Sequence, residues 1–184
     1  MLSITRDTLA EDSLLKTHRG AVHPERWGNY GDCFSVAVER VVPLADFVFA
    51  FYTSRLFRIE RSILRVLAGA RADNADARAL AQGSATTYSV WYAGERTATQ
   101  LLMCDRYERT RSWFRVVPLD GDRTLLQFGS AVAAAPENAA PGKAAHGKAA
   151  KVSPPSAGFR VLLRFHILYS QLLLSAARAG LMSR

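Results

Sequence analysis

The stretch from Gly158 to Arg184 constrains this chain more than any other. Arg160, Arg164, Gln171, Ser175 and Arg178 recur at helical spacing, forming a polar stripe about 60° wide on a helix that turns about 100° per residue. Nearly every other position up to Leu174 is apolar, among them Val161, Leu162, Leu163, Phe165, Ile167, Leu168, Tyr169, Leu172 and Leu173. A helix with so narrow a polar side must lie deep against something large. The preceding chain supplies a candidate, because its hydrophobic period changes from helical to alternating. The expectation is a sheet gripping a long helix.

The chain has 184 residues, 49% of them hydrophobic and 22% charged. That fits one folded domain whose core needs no metal or disulfide staple. Cys33 and Cys104 lack metal-ligand spacing, and a reducing compartment suits them better than a single bridge. Residues 1–15 carry Asp7, Glu11 and Asp12, unlike a secretory signal. The run from Val161 to Leu174 is interrupted by Arg164 and His166 and falls short of the ~20 residues a bilayer span needs. A soluble, cytoplasmic protein is expected. Net charge is +8, but the arginines are scattered over every segment, so no nucleic-acid partner is expected.

Residues 1–31 read as an N-terminal extension, with a short helix around Thr8–Thr17 and a loop anchored by Trp27 and Tyr30. Phe34, Val36 and Val38 alternate on a first strand. Pro43 opens a helical region in which Val48, Tyr52, Leu56, Ile59, Ile63 and Val66 form the apolar stripe, beside Arg58, Arg61 and Arg65. Thr53-Ser54 can break it into two helices, and Gly69 ends it. Asp73 and Gly83 bracket a further helix over Asn74–Gln82. Four strands follow, with Tyr88, Val90 and Tyr92 alternating, then Thr99–Cys104, Arg111–Val117 and Thr124–Val132. Turns are expected at Gly94-Glu95 and, as a tight hairpin, at Asp120-Gly121. Connections this short demand antiparallel neighbours. Residues 133–157, rich in Ala, Pro, Gly and Lys, read as a low-complexity insertion in a domain covering 32–184, and His146 within it has no expected role.

No phosphate-binding glycine loop, nucleophile elbow or zinc ligand set is present, so neither metal nor cofactor is expected. His18 and His23 suit a surface role. His166 falls opposite the polar stripe, among Phe159, Leu162 and Leu173. It is either a core histidine satisfied by Ser170 one turn on, or a polar group facing an internal cavity. Arg111, Trp113 and Arg115 share one strand face; if it looks inward, the arginines could meet an acidic head group. The alternative is that they face solvent or pair with Glu95 or Asp105. Acid–base chemistry by Asp105 or Glu60 lacks a paired carboxylate at diagnostic spacing, and whether the chain is an enzyme stays open.

The order of strand, helix pair, antiparallel meander and long closing helix resembles the START-like helix-grip (SRPBCC) superfamily, in particular bacterial members without an assigned function. The residues that carry the likeness are Asp32-Cys33-Phe34-Ser35-Val36, Phe57-Arg58-Ile59-Glu60-Arg61, and Asp105 with Arg109-Thr110-Arg111-Ser112-Trp113. The closing run from Phe159 to Tyr169 completes it. It covers about residues 30–180, less the insertion. The resemblance implies an α+β fold, an antiparallel sheet wrapped around the last helix, and an apolar cavity between them.

The expected function is binding of a small hydrophobic or amphipathic molecule in that cavity. Its expected lining is Tyr88, Trp91 (or Tyr92), Trp113 (or Phe114), Phe128, Tyr169 and Val90, with His166 as the polar contact. The first rival is a cyclase, dehydratase or hydrolase using the same cavity, with His166 or Asp105 moving protons. The second is peripheral association with a membrane surface through the C-terminal helix, which its narrow polar stripe argues against.

Overall fold

The computed structural model describes residues 4–18, 30–69, 71–132 and 157–183. Trp27, His23, His146 and the stretch 133–156 lie outside the described residues, as do the side chains from Ala157 to Phe165, Arg160 and Arg164 included. The elements are β1 (Thr5–Arg6), α1 (Leu14–Thr17), β2 (Tyr30–Val38), α2 (Leu44–Tyr52), α3 (Arg55–Ala68), α4 (Asn74–Gln82), β3 (Thr87–Tyr88) and β4 (Trp91–Arg96). β5 (Gln100–Asp105), β6 (Thr110–Leu119), β7 (Arg123–Val132) and α5 (Ala157–Met182) complete the chain. All seven strands form one antiparallel sheet in the order β1-β2-β7-β6-β5-β4-β3. The class is α+β, with the closing helix packed on α2, α3, β2 and β7. No described helix is long and apolar enough to cross a membrane.

Local chemistry explains most element ends. Ser54 Oγ accepts from the Phe57 amide at 3.2 Å, separating α3 from α2 as Thr53-Ser54 suggested. Asp73 and Asp76 make a capping box at the start of α4. Between β6 and β7 the residues Asp120 to Asp122 form the loop, and positive φ falls on Gly121 (70°) and Asp122 (56°), one place later than a two-residue turn at Asp120-Gly121 requires.

The expected turn at Gly94-Glu95 is a β-bulge inside β4, where the pairing with β5 shifts between Ala93 and Glu95. The chain turns instead after Arg96, where Thr97 Oγ1 accepts from the amides of Thr99 and Gln100. The Tyr88–Tyr92 alternation is likewise broken. Ser89, with φ 56°, folds β3 back onto β4, so Tyr88 faces Trp91.

Strand register sets two distinct faces. On the inner face Phe34, Phe128 and Phe114 stand opposite one another across β2, β7 and β6, and Leu101 of β5 continues the row. Phe47, Phe51 and Tyr52 of α2 fill the space above, with Phe51 4.8 Å from both Phe114 and Phe128 between ring centroids. Edge-to-face and tilted packing of this kind contributes about 0.5–1.5 kcal/mol per pair beyond area burial.

The outer face holds Cys33, Leu102, Cys104, Trp113 and Ala131, covered by Leu9, Leu14 and Leu15. Both cysteines are free and buried there. The N-terminal segment is thus a strap over the sheet, and its helix is only the turn Leu14–Thr17. Gln100 holds it: its Oε1 accepts from Leu14 N (3.1 Å) and Trp113 Nε1 (2.8 Å), and its Nε2 donates to Asp12 O (3.2 Å). Gly129 lies between Cys33 and Trp113 in the outer row. A Cβ there would come within 2.9 Å of the indole and 3.0 Å of Asp32 O, so the row closes only over glycine.

Candidate functional site

One row beyond Phe34 and Phe128, the inner face turns polar. Asp32 and Ser130 are register partners there, and Tyr30 stands at the strand end. The alternation that buries Phe34, Val36 and Val38 puts Asp32 on their side of the sheet. His166 of α5 descends onto this row. Ser130 Oγ lies 2.6 Å from Asp32 Oδ1 and 2.7 Å from His166 Nε2, and Ser130 N donates to the same Oδ1 at 3.2 Å. The Tyr30 ring meets the imidazole edge-on, 6.4 Å between centroids.

The Ser130 hydroxyl stands between an acid and a base. Ser130 has a single O–H. When it donates to Asp32, His166 Nε2–H must donate to Ser130; when it donates to His166, Asp32 must itself be protonated. Burial pushes the Asp32 carboxyl above its ordinary range, against the pull of Ser130 and His166. Burial pulls the His166 imidazole down, and the Asp32 charge opposes that. The Tyr30 hydroxyl is pushed up to about 12, by burial first and then by Asp32.

Asp32 Oδ2 and the Tyr30 hydroxyl are buried and interact with each other, though neither makes a hydrogen bond within 3.5 Å to a described residue. Buried polar atoms of this kind are costly unless something answers them. Asp32 and Ser130 are almost fully buried, whereas Tyr30 and His166 are half-buried.

A half-buried carboxyl lies between α3 and α5. The Tyr169 hydroxyl donates to Glu60 Oε2. Burial raises Glu60, against the pull of this hydrogen bond, and burial with the Glu60 charge raises Tyr169 well above the usual phenol range.

The residues expected to line a cavity divide between the two faces. Tyr88, Trp91, Phe128, Tyr169 and His166 share the helix-facing side. Tyr92 packs with the outer cluster, which decides its alternative with Trp91. Trp113 also belongs to the outer face, where it bonds Gln100, and Phe114 takes the inward place. The expectation for Trp113 is therefore corrected. Adjacent strand residues point oppositely, and this sheet is apolar on both sides. Tyr88 and Phe128 are packed within the aromatic cluster, Tyr88 at 4.7 Å from Tyr52 and Phe128 at 5.3 Å from Phe114.

Surface clefts lie elsewhere, one of about 450 Å³ beside Phe49, Asn74 and Arg78, another of about 170 Å³ beside Val42, Pro118 and Thr124. Neither includes an expected lining residue.

Several polar expectations also resolve. His166 is answered by Ser130, not by Ser170. Arg111 donates to His18 O, and Arg115 makes a two-pronged contact with Asp12, so both arginines tie down the N-terminal strap. His18 pairs with Glu95 at 3.2 Å. Asp105 accepts from Tyr107 N, Arg109 N and Thr110 Oγ1, organising its own loop. Asp32 and Ser130 are the site residues that reading by spacing overlooked. Their signal was a polar residue recurring on an otherwise apolar strand face. No group of three or more potential metal ligands occurs among the described residues.

Comparison with protein-family models, with curated proteins and with solved structures gives no match to this chain.

Proposed function

We propose that this chain is a START-like helix-grip domain that binds a small amphipathic molecule at the Asp32–Ser130–His166 row. The observation that carries the reading is the buried Asp32 Oδ2 and Tyr30 hydroxyl, facing each other without a hydrogen bond within 3.5 Å, at one end of a hydrogen-bonded chain whose other end, His166, is half-buried. A ligand hydroxyl or amide entering beside His166 would supply the missing partner. Its apolar part would lie along the side of α5 that carries Ile167 and Tyr169, both packed against the inner core. The element order and the sheet with its closing helix support the helix-grip assignment.

Titration with anilinonaphthalene sulfonate, an amphipathic fluorophore, tests the proposal. His166→Ala should weaken its binding by about tenfold, the cost of one well-placed polar contact, whereas Trp113→Phe on the outer face should not. Equal affinity in the wild type and His166→Ala would remove the row from the binding site.

The displacement of Asp32 upward and of His166 downward on either side of Ser130 favours a second reading, an enzyme of the cyclase, dehydratase or hydrolase kind. The order of the groups suits proton transfer better than a serine nucleophile. In an acyl-transfer triad the imidazole stands between acid and serine, whereas here Ser130 stands between Asp32 and His166. Turnover abolished by His166→Ala, with the fold intact, would select this reading.

A further inference from the structure

α3 does not bury the stripe its sequence marks out. Phe57 points into the core, but Ile59, Ile63 and Val66 are 61%, 51% and 82% exposed. The break at Ser54 resets the helical phase, so the stripe that begins with Val48 and Tyr52 on α2 does not stay inward along α3. On the wheel these three residues occupy one arc, and the exposed Arg55, Arg58 and Arg65 occupy the adjoining one. None of the three guanidinium groups has an ion pair or side-chain hydrogen bond among the described residues.

α5 packs beside α3. Tyr169 reaches across to Glu60, and Leu168 and Leu172, which flank Tyr169 on the helix, are 54% and 48% exposed.

We infer that the outer side of α3, together with Leu168 and Leu172 of α5, docks this domain onto an anionic phospholipid surface. Two features choose that occupant. Aliphatic side chains beside unpaired arginines are what an interfacial helix presents, the aliphatics entering the acyl boundary and the arginines meeting lipid phosphates. The chain's net charge of +8 acts in the same direction. The stretch 133–156 is a poor alternative cover, since Val152 is its only large aliphatic residue. α5 alone does not suffice, because its Leu173, Leu174, Ala177 and Leu181 are buried inside the domain. The inference does not depend on the proposed ligand.

Co-sedimentation of the full chain with vesicles tests it. Wild type should pellet with phosphatidylcholine vesicles containing phosphatidylserine, less so as salt rises, and weakly with phosphatidylcholine alone. The variant Ile59→Ser/Ile63→Ser/Val66→Ser changes only exposed positions and should fold normally, as circular dichroism would check. It should lose on the order of tenfold or more in partitioning. Arg58→Glu should lose on the order of tenfold, and Arg123→Glu, the same charge change in the β6–β7 hairpin, much less. Wild type that stays in the supernatant with anionic vesicles would overturn the inference, and so would variants that pellet like wild type. A dimer in sedimentation velocity that the triple substitution converts to monomer would also overturn it, by assigning the face to a second copy.

Discussion

Ser130 Oγ lies 2.7 Å from Nε2 of His166, joining the last strand of the sheet to the helix that closes the domain. Because Asp32 holds the same hydroxyl from β2, three elements distant in sequence meet at one oxygen. Ser130→Ala should therefore destabilise the domain by about 1–3 kcal/mol, since it strips a partner from two groups that stay largely out of water. Urea unfolding measures this directly.

The histidine end of the row has a pH signature. Folding lowers His166 below its ordinary 6.5, so the unfolded chain takes up this proton first as pH falls. The stability it contributes is present above 6.5 and is lost as pH drops below that value. The stability difference between wild type and His166→Gln should shrink between about pH 7.5 and about pH 5.5. A difference that stays flat or grows on acidification would mean that the imidazole is not held neutral.

Glu60 titrates in the opposite sense. Its carboxyl is raised above 4.5 by burial, so its contribution to stability is present below that value and is lost as pH rises through the folded pKa. Tyr169→Phe removes the hydrogen bond that favours the ionised form. The variant should be less stable than wild type by about 1–3 kcal/mol at neutral pH and by less in acid. Denaturation curves at two pH values distinguish this from a pH-independent loss of packing.

Much of the fold was legible along the chain. Asp73 and Gly83 bracket α4 as expected, and Phe34, Val36 and Val38 mark the inner face of β2 correctly. The face of Trp113 was not legible, because every residue of β5 is buried and β6 is apolar on both sides. Only the strap held by Gln100 explains that second apolar face, and it comes from residues 86 positions away. Ile59, Ile63 and Val66 have impeccable helical spacing, but periodicity identifies a stripe without saying what covers it. Asp32 sits on a readable face, whereas its meeting with Ser130 depends on a pairing across 98 residues, which composition and local pattern do not encode.

The same register makes Gly129 a sensitive position. Its missing side chain leaves room for Trp113 at 2.9 Å, Asp32 O at 3.0 Å and Leu9 at 3.2 Å, measured from where a Cβ would stand. Gly129→Ala should cost about 1–3 kcal/mol by overpacking the outer row. Combined with Trp113→Leu it should cost less than the two changes summed, because the smaller side chain admits the methyl. A simple sum in a double-mutant cycle would mean that the indole does not press on this strand.

The assignment of the Asp32 row as a ligand site meets its most direct test in native mass spectrometry of freshly purified protein. Wild type and Trp113→Phe should retain a small-molecule adduct, and His166→Ala should lose most of it. A wild type that carries no adduct, or an adduct equally retained by His166→Ala, would contradict the assignment.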